Sequence, residues 1–345
     1  MIFRAWVRIW FILVILAISC SVLFVYVIDP HGENSSFQYH GINILKIIQD
    51  ERVSKFNYLK NNNDYEAVIL GNSKAAYIDP DIITKYTGFE AYNASFSSGT
   101  MDEFLIFSKW LTNNRNIKQI FIIFDYYSVT EFKSNGTMPP ALETRKTDVV
   151  RYLSLSKFGD SIKTLIHNAS SKVIIGNVEN EYLKKGMRYD KNYFNRLKSR
   201  EQQLRHAAEL ELREPPAWVA LDIKEERINN LKNLVELCDE KGIDLFLIQA
   251  PSSYKVFKDK DNYNKLLSLI TRIAQEIHPV YLFNTFNYVN NDLKYFLDHD
   301  HFNYEVSELI FKRVFLNSSI GLKITSDNLE SMDRLKNVDE VNITD

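Results

Sequence analysis

The chain has 345 residues, of which 45% are hydrophobic and 25% are charged, and its formal net charge is −2 at pH 7. This length accommodates one large domain with an insertion, or two small domains. The near-zero charge argues against a nucleic-acid-binding protein, because phosphate recognition needs a basic surface. The two cysteines, Cys20 and Cys238, are too few for a disulfide framework.

The N-terminal region contains an apolar stretch without charged residues, from Ile9 to Ile28. It is long enough to cross the hydrocarbon core of a bilayer as a helix. Arg4 and Arg8 precede it and acidic residues follow it, so the positive-inside rule predicts a cytoplasmic N-terminus and an extracytoplasmic remainder. A cleaved signal peptide is the alternative, with a faint lipoprotein-like site at Cys20, but the apolar run continues past that cysteine. We therefore predict an uncleaved, single-pass membrane anchor within residues 1–28.

After a polar stalk over residues 29–60, residues 61–318 show the alternation of strands and helices that is typical of an α/β domain. Short apolar runs predict buried strands at 67–70, 89–94, 119–127, 243–250 and 280–284. Apolar residues at helical spacing predict helices at 101–111, 223–241, 263–277 and about 303–315. Such strands indicate a three-layer arrangement, with a parallel sheet covered by helices on both faces.

Residues 130–220 interrupt this alternation, and we interpret them as an insertion that is largely helical. Its segment from 182 to 205 holds eight basic and two acidic residues. A solvated helix face is one interpretation, and a patch that faces an anionic glycan or an anionic membrane surface is the other. Residues 319–345 are interpreted as a C-terminal tail that is loose from about Ser326.

Two short motifs carry candidate chemistry. Gly71-Asn72-Ser73 directly follows the first strand, and ligands of parallel sheets bind at the carboxyl ends of strands. Asp298 precedes His301 in a loop before the last helix, where an Asp can orient a His that acts as general base. The alternative for Ser73 is a structural cap, a common use of serine. A serine nucleophile activated by His301 is our leading hypothesis.

These motifs, with Asn93-Ala94-Ser95-Phe96-Ser97 after the second strand, stand in the order found in the SGNH (GDSL-like) hydrolase superfamily. The chain resembles that superfamily over residues 65–127 and 222–318. Gly71-Asn72-Ser73-Lys74 is most similar to the first block of membrane-anchored envelope members, such as proteins of alginate O-acetylation and of D-alanyl transfer to teichoic acids. The resemblance implies a flavodoxin-like SGNH domain, with Ser73 as nucleophile, His301 as base and Asp298 as the residue that orients His301.

The resemblance also implies how an oxyanion would be bound. The backbone N–H of Ser73 is one donor, Ser98 or Gly99 supplies the second, and Asn93 is assigned to the same substrate-binding group. The superfamily's third block, Gly-x-Asn-Asp, is absent, because the third strand runs into Asp125 instead. Its Asn donor therefore has no counterpart, and we interpret Asp125 as structural.

The histidine loop admits other interpretations. Asp300 or Asn303 is a candidate N-cap of the last helix, and Asp298 and Asp300 compete as the partner of His301. A metal site from His299, Asp300 and His301 is disfavoured, because adjacent residues in one loop rarely converge on one ion. We expect neither a metal nor another cofactor.

In functional terms, the resemblance implies a membrane-anchored, extracytoplasmic serine acyltransferase or esterase. Its substrates would be O-acyl groups, chiefly acetyl, of a cell-envelope polysaccharide. Its implied partners are a multi-span membrane acyltransferase and the envelope glycan, with no nucleic acid, and the lack of a disulfide framework is common in bacterial envelope proteins. Two alternatives stay open: a free-standing carbohydrate or lipid esterase, and a non-catalytic SGNH-fold scaffold of an envelope assembly complex.

Overall fold

The computed structural model describes residues 2–33, 51–134, 154–170, 200–215, 221–257 and 259–336, with short pieces at 39, 41–44, 46, 136, 138–139, 152 and 185–187. The chain forms two compact units. We call Met1–Asn62 with Thr137–Leu183 the N-terminal unit, and Asn63–Gly136 with Lys184–Asp345 the sheet unit. Residues 130–220, predicted as one insertion, are thus divided between the two units.

The helices in the described residues alternate with strands only in the sheet unit. In chain order they are α1 (Ile2–Ile28), α2 (Glu51–Asn61), α3 (Asp81–Thr87), α4 (Met101–Asn114), α5 (Leu155–Ser170), α6 (Arg200–Glu211), α7 (Glu225–Lys241), α8 (Lys260–Glu276), α9 (Tyr288–Asn291), α10 (Tyr304–Leu316) and α11 (Glu330–Lys336).

The strands of the sheet unit form one six-stranded sheet. They are β1 (Ala67–Gly71), β2 (Ala91–Asn93), β3 (Gln119–Phe124), β4 (Asp244–Gln249), β5 (Val280–Leu282) and β6 (Leu322–Ile324). Their order is β2-β1-β3-β4-β5-β6, with β1 to β5 parallel to their neighbours and β6 antiparallel to β5. The order 2-1-3-4-5 is a common doubly wound arrangement. The predicted α/β class with a largely parallel sheet is confirmed, and all five predicted strands are present.

Burial on both faces of the sheet explains why its strands are almost continuously apolar. Every residue of β1, β2 and β3 is buried. On one face, Phe121 stacks against Phe246 with ring centroids 4.7 Å apart and meets Phe311 of α10 edge-on. Alternate residues, such as Leu70 and Ile122, point to the opposite face and are equally buried. The sheet is therefore the central layer of its unit.

Part of the predicted C-terminal tail, residues 319–345, is ordered, and the stretch interpreted as loose from about Ser326 forms a 3₁₀ helix and α11, so that interpretation is corrected. Strand β6 pairs with β5, and Ile324 and Met332 are both buried. Gly321 makes the turn into β6 with a φ of +69°, and a Cβ there would lie 2.8 Å from the carbonyl oxygen of Leu282. A three-residue strand with Lys323 at its centre offers no apolar run, which is why the sequence pattern did not predict it. Residues 337–345 lie outside the described part of the chain.

The N-terminal unit contains the predicted anchor. Helix α1 is long and apolar enough to cross a membrane over Phe3–Ile28. Most of its length is exposed, while Val25 and Ile28 near its end are buried. Helix α2 buries Phe56 and Leu59, so the end of the predicted stalk, residues 29–60, is folded into this unit instead of being a polar spacer.

The basic segment, residues 182–205, falls mostly outside the described residues. Its described parts are 185–187 and the first half of α6. Lys185 forms ion pairs with Asp79 and Asp81 at the start of α3. At least one positive charge of this segment is therefore neutralised within the sheet unit.

Candidate active site

Ser73 lies at the carboxyl end of β1, in a short 3₁₀ helix that spans Ser73–Tyr77. Asn72 caps this helix, because its side-chain oxygen accepts a hydrogen bond from the backbone N–H of Lys74 at 3.1 Å. Gly71 allows the close turn, since a Cβ there would lie 2.5 Å from the carbonyl oxygen of Ile123. Asn72, not Ser73, is thus the cap, and the Ser73 hydroxyl is available to the site.

The loop before α10 carries the histidine and its aspartate. Its base is closed by an isolated bridge between Phe296 and Phe302, both fully buried. Asn303 is the N-cap of α10, because its side-chain oxygen accepts the backbone N–H groups of Glu305 and Val306 at 3.0 and 3.4 Å. Of the two cap candidates, Asn303 has this role and Asp300 does not.

The predicted triad residues come together. The Nε2 atom of His301 lies 2.8 Å from Ser73 Oγ. On the other side of the ring, Nδ1 lies 2.9 Å from Oδ2 and 3.0 Å from Oδ1 of Asp298. Because a carboxylate only accepts hydrogen bonds, Nδ1 carries the proton in the resting state, and Nε2 is free to accept the serine proton. This is the geometry that activates a serine nucleophile.

Asp298, rather than Asp300, orients the histidine, and its charge is stabilised where it lies. Burial alone would raise its pKa, but the hydrogen bond and the charge of His301, with two backbone N–H groups, hold the pKa at about 2. Those N–H groups belong to Asp300 and His301 and donate to Oδ1 at 2.8 and 2.9 Å. Asp298 therefore stays ionised at neutral pH and holds a negative charge beside the His301 ring.

A buried lysine next to the nucleophile is the main feature that the sequence reasoning missed. Lys74 Nζ lies 2.6 Å from Asp300 Oδ1, 2.6 Å from Ser252 Oγ and 3.8 Å from Asp125 Oδ2. Ser252 Oγ also donates to Asp300 Oδ1 at 2.9 Å. Lys74 directly follows Ser73 and Asp300 directly precedes His301, so this cluster ties the two segments together.

The charges of this cluster support one another. Burial alone would lower the pKa of Lys74, but the carboxylates of Asp300 and Asp125 outweigh it, and the pKa is raised. Burial would likewise raise the pKa of Asp300, but Lys74 holds it below the usual value. At Asp125 burial prevails and raises the pKa, with Lys74 opposing. The positive charge of Lys74 is therefore compensated mainly by the carboxylate of Asp300.

Asp125 has the structural role that was predicted for it. It caps the 3₁₀ turn after β3, since its Oδ1 accepts from the backbone N–H and the hydroxyl of Ser128 at 3.1 and 3.2 Å. Ser128 Oγ in turn accepts a hydrogen bond from Asn72 Nδ2 at 3.3 Å. The ends of β1 and β3 are connected through these side chains.

The predicted oxyanion donors lie in the turn after β2. Gly99 approaches the end of β1 so closely that a Cβ would lie 2.9 Å from the carbonyl oxygen of Gly71. Ser98 precedes it with a left-handed backbone, φ +56°. The backbone N–H of Ser73 stands at the first position of its 3₁₀ helix, where the helix itself supplies no acceptor. This N–H is therefore available to a ligand at the end of β1.

Asn93 does not belong to the substrate side, and its assignment there is corrected. Its side chain is fully buried. Its amide donates to the carbonyl oxygens of Ala75 and Ile78 at 2.8 and 2.9 Å, and its oxygen accepts from the backbone N–H of Ser95 at 3.0 Å. Both donors of the amide are used within the fold, so Asn93 holds the 3₁₀ helix that follows Ser73.

The side chains of the three adjacent loop residues considered as metal ligands diverge. His299 is buried, with Nε2 3.1 Å from the carbonyl oxygen of Arg213. Asp300 faces Lys74, and His301 faces Ser73. They cannot converge on one ion in this arrangement.

No protein-family model matches the sequence, and no curated protein matches it.

Proposed function

We propose that this protein is a membrane-anchored serine acyltransferase or esterase of the SGNH type. The observation that carries the proposal is the unbroken hydrogen-bonded chain from Ser73 through His301 to Asp298. A serine hydroxyl is a weak nucleophile until an imidazole within hydrogen-bond reach accepts its proton. A scaffold without catalysis has no need of a half-exposed serine held in this way, so the geometry favours an enzyme over the scaffold alternative.

The reaction begins when Ser73 Oγ attacks the carbonyl carbon of an O-acyl donor. His301 Nε2 takes the serine proton, and the carbonyl oxygen becomes an oxyanion that the backbone N–H of Ser73 can stabilise, with Ser98 or Gly99 as the second donor that the resemblance implies. The C–O bond to the leaving alcohol then breaks, and His301 returns the proton to that alcohol. Ser73 is left as an acyl ester.

The second half repeats these steps with a new acceptor. A sugar hydroxyl, or water in an esterase, gives its proton to His301 and attacks the acyl ester. Collapse of the second tetrahedral intermediate regenerates Ser73, with the proton returned from His301. Transfer and hydrolysis thus use the same residues and differ only in which acceptor reaches the acyl-enzyme.

The SGNH assignment is supported by the order of the motifs and by the strand order of the sheet. Ser73 follows β1, the turn with Gly99 follows β2, and the Asp298–His301 loop precedes α10. The third-block Asn remains without a counterpart, because Asp125 occupies the end of β3 and faces Lys74. The oxyanion would then be bound by two backbone donors.

An envelope polysaccharide with O-acetyl groups is the substrate that the resemblance favours, with a multi-span membrane acyltransferase as the donor's source. Helix α1 supports this location, since it would hold the protein at a membrane. A free-standing carbohydrate or lipid esterase is the second candidate.

Labelling by a serine-reactive fluorophosphonate tests the proposal. The parent should be labelled at Ser73, and Ser73→Ala should lose both the label and acetyl-ester hydrolysis. The control Ser268→Ala changes an exposed serine of α8 and should retain both. Labelling of Ser73→Ala to the parent's extent would overturn the triad. Mass spectrometry of the acyl-enzyme, offered water or an acetyl-accepting oligosaccharide, would separate an esterase from a transferase.

A further inference from the structure

Helix α5 in the N-terminal unit exposes apolar side chains and buries polar ones, which is the reverse of an ordinary helix of a soluble protein. Its residues Leu155, Ile162 and Ile166 are 90%, 41% and 60% exposed. The side chains that it buries are polar: Asp160, Ser161, Thr164 and Asn168. A surface helix normally does the reverse, with its apolar stripe toward the core.

The exposed residues form one stripe. With about 100° of rotation per residue, positions 155, 162 and 166 lie within about 40° of one another around the helix axis. The buried polar residues surround the opposite side. Single exposed apolar residues are ordinary on protein surfaces, whereas a continuous apolar stripe marks a surface that meets something apolar.

The polar face is held by partners in its own unit, so the orientation of α5 is fixed by specific contacts. Asp160 lies 3.5 Å from Nε2 of His31, just after α1. Lys157 forms an ion pair with Glu33 at 2.7 Å. Turning the apolar stripe inward would break both of these pairs.

The stripe is continuous with the end of α1. Phe158, beside the stripe on the helix wheel, contacts Phe24 with ring centroids 5.3 Å apart. Tyr152, shortly before α5, contacts Tyr26 with ring centroids 5.7 Å apart. Phe24 and Tyr26 belong to the last turns of the segment able to cross a membrane. Aromatic residues are enriched at that level of a bilayer, where hydrocarbon gives way to headgroups.

We propose that α5 lies in the membrane interface beside the C-terminal end of α1, with its apolar stripe among the lipid acyl chains. The partner of this surface is the lipid bilayer itself. The inference rests on the proposed membrane location of α1 and is independent of the catalytic site. Helices with one apolar and one polar face bind at this depth.

Depth-dependent fluorescence quenching of the full chain in liposomes tests this. Cys238 is buried, and burial raises the pKa of its thiol to about 12, so only Cys20 must be replaced before labelling. An environment-sensitive dye is attached at Leu155→Cys, at Ile162→Cys, at the matched control Ser156→Cys, or at Leu13→Cys as a reference within α1. Ser156 is exposed on the same helix, about 100° from Leu155.

The stripe positions should show blue-shifted emission and stronger quenching by spin-labelled lipid than Ser156→Cys, at a shallower depth than Leu13→Cys. If Leu13→Cys is quenched by lipid and the stripe positions are not, the inference is overturned. If the stripe positions are shielded from aqueous iodide but not quenched by lipid, a second copy or a membrane protein covers them instead, which also overturns it. If Leu13→Cys is not quenched either, α1 does not lie in the membrane, and the inference that rests on it is overturned as well.

Discussion

Replacing Lys74 by Met should both destabilise the sheet unit and misplace the triad. The side chain is only 5% exposed and its Nζ lies 2.6 Å from Oδ1 of Asp300. Methionine has a similar length and fills most of the same space, so the substitution mainly removes the charge. Asp300 and Asp125 would then be left close together without a cation between them.

The loss of stability follows from that burial. Removing one partner of a buried ion pair costs about 3–5 kcal/mol, because the remaining charge is left uncompensated. Relaxation of the Asp300 segment would also move His301, and a displacement of about 1 Å costs roughly 10²-fold in rate. Adding Asp300→Asn to Lys74→Met removes the uncompensated charge and should restore more than half of the lost stability.

Urea unfolding of the detergent-solubilised chain, followed by tryptophan fluorescence, measures the effect. Lys85→Met is the matched control, since Lys85 also pairs with an acid, Glu308 at 3.4 Å, but is 63% exposed. A pair of that kind contributes about 0–1 kcal/mol. A loss in Lys74→Met no larger than that in Lys85→Met would refute the role of the buried cluster.

Three further changes address other parts of the molecule. Asp298→Asn should lower the rate of acetyl-ester hydrolysis by up to about 10⁴-fold, because the orienting acceptor of His301 is lost; a rate within a few-fold of the parent would contradict the triad. The pKa of Asp298 is lowered to about 2. Its contribution to stability is therefore present above pH 3.8 and is lost as the pH falls through 2. The parent and Asp298→Asn should differ in urea midpoint at pH 6 and converge at pH 2. Asn93→Ala should cost at least about 1–3 kcal/mol, because the carbonyl oxygen of Ile78 loses the donor that the buried Asn93 amide supplies; unchanged stability would contradict its structural role. Alkaline phosphatase fused after Asp345 should be active in cells, and an inactive fusion would reverse the predicted orientation.

The sheet could be predicted from the sequence because its strands are buried on both faces. Apolar runs such as the one in β3 mark such strands without needing their neighbours. The triad could be predicted for a similar reason: Asp298 and His301 share one loop, and Ser73 follows a strand, so each half has a local signature. The pairing of the halves, from opposite ends of the domain, was a hypothesis from the α/β pattern, and the resemblance implied the same pairing.

Features that depend on distant partners could not be predicted. Lys74 meets Ser252 and Asp300 only after folding, and a lysine in a polar turn is usually solvated. Asn93 lies in a motif that the resemblance associates with substrate binding. In the folded chain, its amide instead donates hydrogen bonds to two carbonyl oxygens of the turn after Ser73, and that turn exists only once the chain has folded. The inverted orientation of α5 depends on His31 and Glu33, which lie far from it in sequence and are not distinguished by any periodic pattern.

The link between Lys74 and Asp300 has a consequence for the evolution of this site. Each residue is tolerable in the interior only while the other is present, so a lineage cannot lose one of them without passing through a destabilised intermediate. In related chains the two positions should therefore change together or not at all, as a lysine with an acid or as two neutral residues. These two positions lie next to Ser73 and His301. The pair of residues found there would therefore show which related chains hold these two segments together by a buried ion pair.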